Sequence, residues 1–272
     1  MRTLLLKFSG PLQSWGTSSH FETRHTDYYP SKSAVIGMIA AAFGYRRNDE
    51  HASEIKELNT LDFAVRIDQK GNLHSDYHIA QKYKPTGEFA RSYVTQRYYM
   101  EDAIYLVGLG SSSDNLIENI EKALRSPYFS LSLGRRALMP CADLIIGTTA
   151  DSVIDALRHY EWLAKPWYKN KITRLNTCVT GEKTLPLYAD ADLFSAETAL
   201  VNRASIKRLR QDYVVSFSNK ERKFGYRYEA RIDIPISTLH ASENGQHPAQ
   251  SNVCNSIVSH VDTQHDAFAG LE

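Results

Sequence analysis

Apolar positions recur along the first half of the chain in blocks whose period changes from one block to the next. Thr3 to Ser9, in "TLLLKFS", is a nearly continuous apolar run, which predicts a buried first strand. "YPSKSAVIGMIAAAFGYRR" then predicts a helix. Pro30 precedes it, Ser31 or Ser33 can accept from the free N–H groups of its first turn, and Gly44 stands where it should close. The helix is apolar nearly all round, so it should be buried. Gly37, Ala40 and Ala41 form a smooth stripe expected to lie against a sheet, with Val35, Ile39 and Phe43 beside it.

"LDFAVRI" alternates: Leu61, Phe63, Val65 and Ile67 face one way, with Asp62, Ala64 and Arg66 opposite, as in a half-buried strand. A turn at "DQKGN" lets "LHSDYHIA" return as its partner. "QKYKPTGEFARSYVTQRYYM" shows no period and reads as an irregular basic and aromatic stretch. "AIYLVGLG" is a strand, and a second helix starts in "SSSDN" with Leu116, Ile117, Ile120, Ala123 and Leu124 on one face. "YFSLSLGRRALMP" is expected to close the unit, although the pattern alone leaves open which stretch supplies the last strand. The order strand, helix, hairpin, strand, helix, strand predicts an α+β, ferredoxin-like (RRM-type) βαββαβ domain over 1–150. A helix at "DSVIDALRHYEWLA" and a strand at "KFGYRYEARIDIPI" belong to a smaller, mostly-β C-terminal part over 151–238. The polar tail, 239–272, is expected to be flexible.

Composition narrows the functional classes. With 42% hydrophobic and 23% charged residues in 272, the chain has the balance of a globular protein. No apolar stretch approaches the roughly 20 residues of a membrane span. The start "MRTLLLKFSG" is too short and too soon interrupted by Lys7 for a signal peptide, so a cytoplasmic location is expected. Three scattered cysteines give neither a disulfide framework nor a metal motif. The net charge of +1 conceals an asymmetry. Between 201 and 231 stand Arg203, Lys207, Arg208, Arg210, Lys220, Arg222, Lys223, Arg227 and Arg231 against Asp212, Glu221 and Glu229. Such a run suggests a surface that faces a polyanion.

Familiar chemistry is mostly missing. "GEKT" and "GLGSSS" are fragments of phosphate-binding loops without the required glycine spacing, so no cofactor is expected. His74 and His78 share a strand face but lack a third ligand, and His247, Cys254, His260 and His265 are irregularly spaced, so no metal site is expected. Metal-independent RNA cleavage would need a base and an acid. His20, His25 and Tyr45 are the candidates, with Tyr28 and Tyr29 nearby and Arg46 and Arg47 as cationic help, since tyrosine is a poor base at its ordinary pKa of about 10.

One composition recurs in four patches: "SGPLQSWG", "ETRHTDYYPSKS", "SLGRRALMP" and "DYVVSFSNKERKFGYR". Arginines fork onto phosphates, glycine and serine let backbone N–H groups approach, and aromatics stack unpaired bases, a set that favours single-stranded RNA. The first helix's start would add free N–H groups.

These patches, with "LLLKFSGPLQSWG", "FETR", "LDFAVRID" and "LGRRALMP" in order up to about Arg231, resemble the Cas-five family of CRISPR RAMP proteins, nearest to its type I-E Cascade branch. The resemblance implies an RNA-binding domain with a protruding thumb, for which 81–100 is the candidate. It implies a non-catalytic subunit that holds the 5′ handle of the crRNA. That subunit caps a ribonucleoprotein complex beside its backbone subunit and its large PAM-reading subunit, meets target DNA only through that complex, and has no membrane partner. By position, the implied handle-facing residues are Gln13, Trp15, Arg24, Ser31, Lys32, Ser33, Tyr45, Arg46, Arg97, Arg135 and Arg136. Some relatives cut repeat RNA with a tyrosine after the first helix and a Lys-His pair further on. Tyr45 occupies the matching place, but no Lys-His dipeptide occurs in this chain.

Overall fold

The computed structural model describes residues 1–17, 22–48, 50–175, 183–194 and 207–239. His20 and the polar tail beyond Leu239 lie outside them. The core is a mixed α/β arrangement built on a seven-stranded antiparallel sheet. Its strands are β1 (Arg2–Ser9), β4 (Asp62–Gln69), β7 (Ile104–Ser111), β8 (Ile145–Thr149), β9 (Thr184–Asp190), β10 (Arg208–Ser216) and β11 (Lys223–Pro235), in the order β10-β11-β9-β4-β7-β1-β8. The C-terminal strands thus extend the sheet begun by the N-terminal ones, through pairing of β9 with β4.

The continuous apolar run of β1 follows from its position inside this sheet. Leu4, Leu6 and Phe8 face one core with helices α1 (Lys32–Phe43), α2 (Ala52–Leu58) and α3 (Asp114–Arg125). Leu5 faces a second core with α4 (Val153–His159). Helix α1 starts and stops as predicted. The Ser31 hydroxyl accepts from Ala34 N–H at 3.3 Å, and Gly44 closes the helix at φ +82°. Its small stripe is placed differently: Gly37 and Ala41 line a surface groove, and Val35, Ile36 and Ile39 face the core.

Three other expectations change. "LHSDYHIA" does not pair with β4 but belongs to β5 (Asn72–Tyr83), which pairs with β6 (Phe89–Glu101) in a long exposed hairpin. The stretch expected to be irregular is therefore mostly strand. Two short strands, β2 (Leu12–Gln13) and β3 (Thr23–Arg24), attach to β6 near its base. The edge strand beside β1 is β8, and Tyr128–Pro140 is a loop. Lastly, Arg66 is fully buried. It is paired with Asp68 at 2.6 Å and donates to the carbonyls of Leu157, Tyr160 and Glu161, the last turn of α4 and the residues after it. This ends the helix at His159, short of the predicted "EWLA". Among the described residues no helix is long and apolar enough to cross a membrane.

Candidate nucleic-acid interface

All four sequence patches meet beside the start of α1. The turn after Leu133 rests on the segment following β1: Ser14 N–H donates to the Leu133 carbonyl at 3.0 Å, and Leu138 N–H closes the turn on the Arg135 carbonyl at 2.9 Å. Gly134 sits at φ +98°, where a Cβ would fall 1.7 Å from the Ser14 carbonyl oxygen. Only glycine permits this approach, and the approach sets the direction of Arg135. Arg135 donates to the Arg24 carbonyl at 2.9 Å and lies over the Tyr99 ring at 4.3 Å. Its other terminal nitrogen is buried without a hydrogen-bond partner.

The result is a groove of about 370 Å³ lined by Arg24, His25, Ser33, Arg47, Arg135 and Arg222, with Gly37 and Ala41 as part of its floor. None of the ion pairs among the described residues involves Arg46, Arg47, Arg136 or Arg222. Partial burial, and then the neighbouring Arg222 and Arg136, hold the Arg47 guanidinium below its ordinary pKa. Cations set close together without carboxylates fit a polyanion such as a phosphate backbone. His25 stacks on Tyr98 at 5.5 Å, next to the groove.

The predicted residues divide into groups. Arg24, Ser31, Ser33 and Arg135 line the groove, and Arg136 lies close enough to Arg47 to perturb it. Arg97 is half-buried on β6, in register with Arg24 and Asp76. Gln13, Trp15 and Lys32 are taken up by the interior. Gln13 donates to the Ala103 carbonyl at 2.7 Å. Trp15 is 1% exposed, stacked on Phe8 at 5.5 Å and edge-on to Tyr105. It braces the groove from behind and does not offer a stacking face to solvent. Lys32 Nζ pairs with Asp190 at 2.9 Å, and its backbone N–H donates to Asp212 at 2.9 Å. The start of α1 therefore offers fewer free N–H groups than expected, because a protein carboxylate already occupies it. Arg47 and Arg222 are groove residues that the positional assignment missed, although Arg222 stands in the quoted "NKERKFGYR" patch.

The comparisons with known proteins bear directly on these elements. A family model described as CRISPR-associated protein (Cas_Cas5) matches residues 3–228, most of the chain and every element of the groove. The chain belongs to this family. It is 30% identical to the Cascade subunit CasD of Escherichia coli (strain K12), over 58% of this chain and 76% of that one. Its fold matches a chain of a CRISPR RNA-guided surveillance complex with TM-score 0.67 at 26% identity, covering 87% of this chain and 92% of the other. A crystal structure of a Cas protein matches with TM-score 0.59 at 29% identity, over 87% and 97%.

Within this Cas-five chain, two expectations need correction. The basic run from 201 to 231 is not one polyanion-facing surface. Arg210 and Arg227 are buried and paired with Asp27, Asp190, Asp212 and Glu229, and Arg208 adds a contact to Glu229. Tyr29 O–H also donates to Glu229, at 2.7 Å. Arg231 pairs with Asp233. Arg210 and Arg227 are thus internal scaffolding under α1, whereas Lys207, Lys220, Arg222 and Lys223 are exposed and Arg203 lies outside the described residues. Tyr45 lies past the opposite end of α1, stacked between Phe43 and His51 at 5.3 and 4.3 Å. It lines a separate depression with Glu54 and Glu57. Burial, and then these two acids, raise its pKa, the opposite of what a tyrosine base requires. Arg46, beside it in sequence, is exposed.

Proposed function

We propose that this Cas-five protein is the non-catalytic, crRNA-holding subunit of a type I-E Cascade in the cytoplasm. It grips the 5′ handle in the groove at the start of α1 and caps the complex next to the backbone and large PAM-reading subunits. The observation that carries the reading is the pair Arg47 and Arg222 lining the groove, with Arg136 near enough to Arg47 to lower its pKa, none of the three in an ion pair among the described residues. Arg24 and Arg135 extend this surface toward β6, and His25, stacked on Tyr98, supplies an aromatic plane for a base.

The adjacency β4-β7-β1-β8, with α1 and α3 on one core, supports reading this part as ferredoxin-like. The hairpin of β5 and β6 is then the thumb, longer than the 81–100 stretch suggested by sequence. Family likeness to CasD favours the Cascade assignment. The competing role, metal-independent cleavage of repeat RNA, finds no support around Tyr45. Its neighbours are acidic, and it lines a different depression from His25.

One experiment tests both halves. Labelled repeat RNA is incubated with the purified protein in EDTA, and retention and integrity are read on gels. The expected outcome is intact RNA, held more weakly and with a flatter salt dependence by the Arg135→Ala, Arg136→Ala variant. Cleavage at one position that disappears in Tyr45→Phe would overturn the non-catalytic assignment.

A further inference from the structure

A second cleft, of about 650 Å³, opens where the segment Thr26–Tyr29 faces α5 (Pro166–Leu175) across the ends of β4, β9 and β11. It shares no lining residue with the groove. Its walls are aromatic. Tyr28 is 59% exposed, Tyr188 is stacked on Tyr29 at 4.0 Å, and Tyr168 accepts a hydrogen bond from Lys70 N–H. Its charge is cationic. Lys70 and Lys183 both line it, and neither joins an ion pair among the described residues. The one carboxylate among the lining residues, Asp27, is held by Arg210 at 2.9 Å. On α5, Lys169 and Lys171 carry the positive surface onward, and Trp167 is half exposed beside them.

Aromatic faces beside ammonium groups that lack a carboxylate are the chemistry of a site for single-stranded nucleic acid, in which bases stack and phosphates meet cations. The volume lies within the range of sites that enclose a small ligand, enough for a nucleotide. We propose that this cleft is a second nucleic-acid site, taking an unpaired nucleotide whose base lies on Tyr28 or Tyr188 and whose phosphate meets Lys70 and Lys183. His25 lines the groove and Thr26 lines the cleft, so the two sites adjoin and one strand can run through both. That continuity rests on the reading of the groove, whereas the cleft itself does not. The strand could be the guide RNA or single-stranded DNA.

Photo-crosslinking separates these sources. The purified full chain is irradiated with a 4-thiouridine RNA hexanucleotide or a 4-thiothymidine DNA hexanucleotide, and the modified residues are located by mass spectrometry. Crosslinks at Tyr28 or Tyr188 are expected. Their yield should fall roughly ten-fold in Lys70→Glu, the order expected for losing one well-held nucleotide. It should hold in Arg47→Ala, Arg222→Ala, which weakens only the groove. Tyr28→Ala, at an exposed side chain, should shift the remaining crosslinks to Tyr188. Reaction with the RNA probe alone assigns the guide, with the DNA probe alone a DNA strand, and with both a site that accepts either. Crosslinks confined to groove residues, or cleft crosslinks that Lys70→Glu leaves unchanged, would overturn the proposal. In the parent chain, cleft crosslinking without any crosslink or RNA retention at the groove would instead count against the handle reading.

Discussion

Arg222 and Arg227 stand five positions apart in one basic segment and do opposite things. Arg227 is buried against Asp190, Asp212 and Glu229, and these carboxylates hold its guanidinium firmly charged despite the cost of burial. Arg222 lines the open groove, near enough to Arg47 to lower that residue's pKa, with no acid paired to it among the described residues. The difference is one of partners. A buried arginine with its acceptors in place is part of the scaffold, and removing an acceptor leaves charge stranded in a poor dielectric. An arginine crowded by other arginines gains from whatever anion arrives, and removing it relieves repulsion.

Four variants would break or sharpen this contrast. The largest effect is expected from Glu229→Ala, which removes the acceptor shared by Arg208, Arg210, Arg227 and Tyr29. Denaturant unfolding should show a loss of about 3–5 kcal/mol, as for other broken buried pairs. A loss near zero would mean the network is better solvated than its burial implies. Next, Gly134→Ala forces a side chain onto the Ser14 carbonyl at positive φ. It should cost about 1–3 kcal/mol and weaken RNA retention, because the Arg135 turn must shift. Third, Arg47→Ala with Arg222→Ala should leave stability within about 0.5 kcal/mol of the parent. RNA affinity should drop, with the log–log salt slope reduced by about 0.7 for each phosphate that is no longer neutralised. A clear loss of stability in this variant would erase the distinction between the two arginine classes.

The smallest effect concerns Tyr45. Its folded pKa is raised, so its neutral form is favoured by folding. The associated stability is fully present below the unfolded value of about 10 and is lost as pH climbs through the higher folded value. Spectroscopic titration of parent against Tyr45→Phe should place this tyrosine's ionisation above that of an ordinary one. Ionisation below pH 10 would revive the cleavage reading.

The sequence was most legible where one physical rule acted alone. The Ser31 and Gly44 caps, the buried run of β1 and the amphipathic stripe of α3 all appear in the structure as their local patterns require. The β5–β6 hairpin was hidden because most of it is exposed on both faces, which erases the alternation that marks a half-buried strand. Arg66 read as the outer face of β4 because nothing local announces that Asp68 and three α4-end carbonyls will enclose it. For the site, the patches were visible, but the division of arginines between scaffold and groove was not. That division depends on Asp190 and Asp27, which come near the basic strand only after the sheet has formed. Trp15 was open for the same reason: its local turn chemistry fits both a core ring and a presented one, and only the fold brings Phe8 and Tyr105 around it.

Trp15 also joins the groove's mobility to that of the whole molecule. Its ring sits in the same core as Phe8 and Tyr105, and its backbone N–H donates to the Thr26 hydroxyl at 2.8 Å, on the segment that connects groove and cleft. A binding loop anchored in this way has no low-energy opening of its own. Its amide hydrogens should exchange only as fast as the core unfolds, so the surface proposed to meet RNA is held about as rigidly as the interior beneath it.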